Sequence, residues 1–432
     1  MFSVAKLVIN ALIVLMTLIM GNTWAAPGPG DYKGGYDSAN YVSRSVAVDT
    51  RKDRGRPADL LANLKHVPLG LPPVPEPAGK SATRPKIELG RKLFYDRRLS
   101  LNDTMSCAMC HVPEQGFANN ELALAVGLEG RVVRRNAPTL YNVAFFERLF
   151  HDAREASLEQ QVWSPLLARN EMANPSIGEV IRKLRDLQDY KGLFEAAFDG
   201  VGPTMETVGA ALASYQRTLV SANSPFDRWY YGKQEDALEI SAQRGFKVFM
   251  GKGRCASCHQ VGEDYALFMD NKLHNTGVGW EAAMKKEPGE KQVLIAPGIY
   301  TTVSAKVIAT VGNPDLGDVG LYEISQDPND RWLYKTPTLR NVALTAPYMH
   351  NGSLLTLADV VAFYNRGGQP NELLDPMVRP LDLTQQEMED LVAFLEALTG
   401  DNVDELVADA FAAPVGDLRK TDPHWSHESS GN

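Results

Sequence analysis

The sequence predicts an all-α protein made of two helical units joined by long loops, and three observations carry that prediction. Apolar residues recur at helical spacing: Met205, Val208, Leu212, Tyr215 and Leu219 form one stripe, and Met388, Leu391, Leu395 and Leu398 another. No alternating strand pattern runs beyond a few residues. All four cysteines fall in two Cys-x-x-Cys-His pentads, at 107–111 and 255–259, each opening a unit of similar length.

The pentads leave no cysteine for a structural disulfide. A Cys-x-x-Cys pair alone also suits zinc or a thioredoxin-like dithiol, but a His directly after the second Cys is the signature of covalent haem attachment. Two thiols one turn apart can form thioethers with the haem vinyl groups, and the adjacent imidazole then reaches the iron from the proximal side. One expected haem c is therefore held by Cys107, Cys110 and His111, and a second by Cys255, Cys258 and His259.

Along the chain, residues 1–26 combine Lys6, an apolar run from Leu7 to Met20 and small residues at Ala25 and Ala26, the pattern of a signal peptide. A membrane anchor is the alternative, but the run is shorter than the roughly 20 residues that span a bilayer. Residues 27–80 read as an extended arm ending in the Pro-rich linker LGLPPVPEPAGK. The two units follow at 81–231 and 232–400, with a charge-rich insertion near 281–316 and a tail at 401–432. Thr384 with Glu387 forms a capping box and Gly400 supplies a stop; Ser157 with Gln160 is a second possible box, with Pro165 ending that short helix. Outside the pentads, little identity between the halves is visible.

Without residues 1–26 the chain carries 43 basic against 53 acidic side chains, a formal charge of −10. Nucleic acid is an unsuitable partner for such a surface. A basic patch on another protein suits it better.

Several stretches resemble the di-haem cytochrome c peroxidase and MauG superfamily: LGRKLFYDRRLS (89–100), SCAMCH (106–111), RNAPTLYN (135–142), SPFDRW (224–229), CASCH (255–259), DNKLHNTGVG (270–279) and TPTLRNVALTAPYMHNGS (336–353). The resemblance runs from about 85 to 400 and implies two cytochrome-c-like haem domains. Peroxidases of the family close the first haem with a His seven residues before the RNAPT run; here that position is Leu128, which implies an open distal side. Gln161 and Glu171 match the family's distal Gln and Glu, with Glu171 as the proton shuttle. Fourteen residues after His350, where peroxidases place an axial Met, stands Tyr364, as in MauG-like enzymes; Met349 or Met377 is the rival ligand. A calcium ion between the haems is implied at Asn136 and at the carbonyl oxygens of Thr345 and Pro347.

Two positions depart from the family pattern. His151 stands where a Trp commonly separates the haems, and Gly253 where MauG has a Trp that passes holes to its protein substrate, leaving Trp163, Trp229 and Trp332 as alternative exits. The reading that results is a periplasmic di-haem enzyme that uses hydrogen peroxide to reach a high-valent state and oxidises Trp or Tyr of a partner protein. The alternatives are a peroxidase fed by a small cytochrome or cupredoxin, and a non-enzymatic electron carrier.

Overall fold

The computed structural model describes residues 53–77, 79, 81–284, 290–296, 299–304, 307 and 317–414. The expected signal peptide, the arm up to residue 52 and the tail from residue 415 lie outside the described residues. Six helices frame the sites: α1 (Arg84–Tyr95), α2 (Met205–Arg217), α3 (Ile240–Met250), α4 (Leu357–Asn365), α5 (Gln385–Glu396) and α6 (Val403–Ala410). The stripe read at 205–219 becomes α2, and Leu212 and Tyr215 on it are no more than 1% exposed. The stripe at 388–398 becomes α5, opened by the expected Thr384–Glu387 capping box.

α1 packs across α2 and α3 across α5, one pair for each pentad, and a glycine sits at each crossing. A Cβ on Gly90 would lie 1.9 Å from the Ala211 carbonyl oxygen, and one on Gly245 would lie 1.9 Å from that of Asp390. Only a residue without a side chain allows the backbones to approach so closely. Two large apolar cores result. One gathers Leu93, Phe94, Leu128, Tyr141, Trp163, Leu212 and Tyr215, the other Phe226, Phe246, Phe249, Phe268, Leu391 and Phe394.

Four details differ from the reading of the sequence. Residues 401–414 are no loose tail, because α6 places Leu406 and Ala410 in the first core, and Asp409 pairs with Arg91 and accepts from the Ala58 N–H. Part of the arm is helical at Leu60–Lys65, capped by Asp59. The insertion carries an antiparallel hairpin, Glu290–Ala296 with Ile299–Ser304; its β-branched residues favour strand, but its runs are too short for periodicity to reveal. Pro165 does not end a helix but lies in the first turn of Trp163–Leu167, where its missing N–H costs nothing. The Ser157 side chain does cap Leu158–Gln161, accepting from the Gln160 N–H.

The halves are also more alike than the sequence reading allows. Shifting by 199 residues superposes the pattern of 136–158 on that of 335–357 without a gap. Asn142 and Asn341 both take left-handed backbone (φ 60° and 61°) before a short 3-10 turn. Phe150 and Met349 do the same (φ 64° and 71°), and Ser157 and Thr356 both cap the helix that follows.

Candidate functional site

Each pentad folds as a tight turn in which the His N–H donates to the carbonyl of the first Cys, at 2.9 Å in both His111 and His259. Their rings are then aimed in the same way. His111 Nδ1 lies 3.1 Å from the Phe117 carbonyl oxygen and His259 Nδ1 lies 2.7 Å from that of Phe268. A carbonyl only accepts, so Nδ1 carries the proton and each Nε2 keeps a lone pair. Burial lowers both imidazole pKa values and holds the rings neutral, as a ligand must be.

The orienting carbonyls are themselves fixed. Thr139 Oγ1 donates to the Gly116 carbonyl at 2.6 Å and Thr338 Oγ1 to that of Leu267 at 2.7 Å, one residue before each orienting Phe. Thr139 and Thr338 belong to the repeated Pro-Thr-Leu runs, and neither was singled out from the sequence. The 199-residue repeat was the signal that would have found them.

Burial pushes the Cys107 and Cys255 thiols up to about 12 and Cys110 to about 11. Such thiols are poor nucleophiles and poor zinc ligands at neutral pH. Paired with a lone-pair Nε2 beside each, they fit a haem whose vinyl groups take the sulfurs and whose iron takes the imidazole.

On the first unit, Glu171 is close enough to Cys107 and Cys110 for its charge to raise both thiols. Burial raises the Glu171 carboxyl pKa in turn, and Arg154 nearby opposes the rise. The Glu171 carbonyl accepts from the Leu128 N–H at 2.9 Å, so Leu128, 1% exposed, is tied to the acid. Gln161 ends the short helix Leu158–Gln161 and is partly exposed.

On the second unit, Tyr364 projects from α4. Burial raises its phenol well above the ordinary range, and the nearby Cys258 and Cys255 add to the rise, which places the phenol in the neighbourhood of the second pentad. Met377 is 40% exposed, and Met349 sits in the left-handed turn before His350.

Between the units, Asn136 Nδ2 meets the Pro347 carbonyl oxygen at 3.2 Å, with Thr345 two residues before it across the cis Ala346–Pro347 bond. With the Asn136 amide flipped so that its oxygen faces the same side, that oxygen and the main-chain carbonyls of Thr345 and Pro347 would offer oxygen ligands to a hard cation such as calcium. His151 Nε2 lies 3.0 Å from the Asn136 carbonyl oxygen, and His350 stacks on Tyr334 with ring centroids 3.6 Å apart. Trp163 and Trp332 are buried and Trp229 packs against the second core, so none of the three lies open on the surface.

A family profile described as di-haem cytochrome c peroxidase matches residues 84–235. A cytochrome-c peroxidase of Denitromonas iodatirespirans, IdrP1, is 37% identical over 339 residues, 78% of this chain and 87% of its own length. The methylamine utilization protein MauG of Methylorubrum extorquens is 36% identical over 326 residues, covering 75% of this chain and 81% of its own. The chain belongs to the di-haem cytochrome c peroxidase and MauG family. Family membership makes it a haem-dependent oxidoreductase carrying haem c. Among solved structures, a MauG-like protein associated with microbial copper homeostasis aligns with a TM-score of 0.65 at 28% identity, over 81% of this chain and 98% of its own. The diheme peroxidase BthA of Burkholderia thailandensis aligns with a TM-score of 0.60 at 25% identity, over 83% and 93%.

Proposed function

We propose that this family member works in the MauG manner, using hydrogen peroxide to oxidise Trp or Tyr side chains of a partner protein. The observation that carries the reading is the buried Tyr364 phenol near Cys255 and Cys258. Haem bound at the two pentads supplies the redox chemistry, taking two oxidising equivalents from peroxide. His111 and His259 would hold the irons through Nε2, and Leu128 brings no ligating atom to the first haem. Glu171, raised by burial, accepts a proton from peroxide at its near oxygen and returns it to the leaving one, while Gln161 orients the molecule. Tyr364 would offer a hard oxygen to the second iron, a donor that disfavours Fe(II).

Asn136, Thr345 and Pro347 would hold a calcium ion between the two units. Among the described residues no helix is long and apolar enough to cross a membrane. The leader-like residues 1–26 are what supports a periplasmic protein released from its signal peptide.

Replacing Tyr364 with Met tests the reading. The variant is expected to gain the near-infrared band of His–Met ligation and a higher second-haem potential, and to lose oxidation of protein side chains. That band in the unmodified protein would sink the proposal. The 37% identity to a protein named cytochrome-c peroxidase favours a second reading, reduction of peroxide with electrons from a small redox protein. Fast, saturable oxidation of reduced cytochrome c would establish it in place of the first.

A further inference from the structure

The expected calcium loop has a counterpart in the other half. Under the 199-residue shift Asn136, Thr345 and Pro347 correspond to Lys335, Phe146 and Arg148. The contacts correspond as well. Asn136 reaches the Pro347 carbonyl with its side chain at 3.2 Å, and Lys335 Nζ donates to the Arg148 carbonyl at 3.1 Å. Nζ also lies 3.4 Å from the centroid of the Phe146 ring, over its electron-rich face.

Both loops are framed by the same main-chain bonds, Asn136 N–H to the His350 carbonyl and Lys335 N–H to the His151 carbonyl, each 2.7 Å. They differ in charge. The loop at Asn136 offers no charge of its own, only a neutral amide whose N–H meets the Pro347 carbonyl and which, once flipped, would give an oxygen to a cation from solution. The loop at Lys335 brings its own amine, with three donors when charged, on a stem long enough to reach the carbonyl; burial lowers its pKa to about 7, and the Arg148 carbonyl and the Phe146 ring face are the contacts that favour its charged form.

We propose that the fold contains two equivalent cation sites, one open to an exchangeable divalent ion at Asn136, Thr345 and Pro347, and one filled by the tethered ammonium of Lys335. The exchangeable half rests on the calcium reading above; the tethered half rests on the Lys335 contacts.

The test counts calcium bound per chain in the haem-loaded, full-length protein after chelation and re-addition of calcium. One ion is expected for the unmodified protein, one for Lys335→Arg, and two for Lys335→Asn, which makes the second loop resemble the first. No gain in Lys335→Asn overturns the proposal and leaves the calcium reading standing. No ion in the unmodified protein overturns the calcium reading, and a gain of one in Lys335→Asn would still support the tethered site.

Where Lys335→Asn fails to fold, the reverse change decides. Asn136→Lys is expected to bind no calcium and to melt at the same temperature with and without chelator. A melting point that still depends on calcium would overturn the equivalence of the two loops.

Discussion

The backbone N–H of Asn136 donates to the carbonyl of His350 at 2.7 Å, and the bond has a twin in Lys335 N–H to the His151 carbonyl. Each histidine turn is thereby stitched into the opposite half. Their rings sit where the halves meet, His350 only 7% exposed.

That placement makes stability sensitive to acid. Burial, with Lys335 and Arg135 adding to it, pushes the His151 imidazole down to about 4; burial, with His151 and Arg135 nearby, takes His350 to about 3. In the unfolded chain both protonate near the ordinary value of about 6.5. The unfolded state therefore binds more protons below that pH, so the contribution is complete above it and is lost as pH falls towards the folded values. The slope is at most about 1.4 kcal/mol per pH unit for each His. Urea midpoints measured from pH 7.5 to 5 should fall, and His151→Gln should flatten the decline; an unaltered slope in that variant would remove His151 from the account.

Glu171→Gln should keep both haems yet slow the reaction with peroxide by about 10²–10⁴-fold, the usual worth of general acid–base help. The rate of the unmodified protein should rise with pH as the carboxyl ionises, at a pH above the ordinary Glu range because burial raises it. The variant should lack that limb. Stopped-flow rates that are equal in the two proteins would take Glu171 out of the chemistry.

Gly90→Ala and Gly245→Ala should each force a helix pair apart, since the new methyl would meet a main-chain oxygen at 1.9 Å. Overpacking of this kind costs about 1–3 kcal/mol. Urea unfolding of both variants checks it, and a midpoint unchanged by either substitution would mean that the crossing has room to relax.

Much of this was legible in the residues. The pentads, the stripes of α2 and α5 and the Thr384 cap each depend on spacings of seven residues or fewer, so local sequence carries them. What escaped depends on distant partners. Thr139 and Thr338 look like ordinary turn residues until the loops of Phe117 and Phe268 fold back onto them. The likeness of the halves hid because the repeat keeps backbone shape while exchanging side chains: Tyr141 corresponds to Arg340, a fully buried guanidinium that pairs with Asp227. The hairpin at 290–304 escaped because short β-branched runs carry no period, and the register of Glu290 with Ser304 emerges only on pairing.

The contact of α6 with α1 separates the order of synthesis from the order of completion. Ala58, Arg91 and Gly55 lie near the start of the described chain, yet their partners Asp409 and Ala408 are among its last residues. The first half cannot complete its own hydrophobic interior until the far end of the second has joined it. A fragment truncated at residue 231 should therefore leave Arg91 without Asp409 and the first core without Leu406 and Ala410, the state of the nascent first half until the far end of the chain arrives.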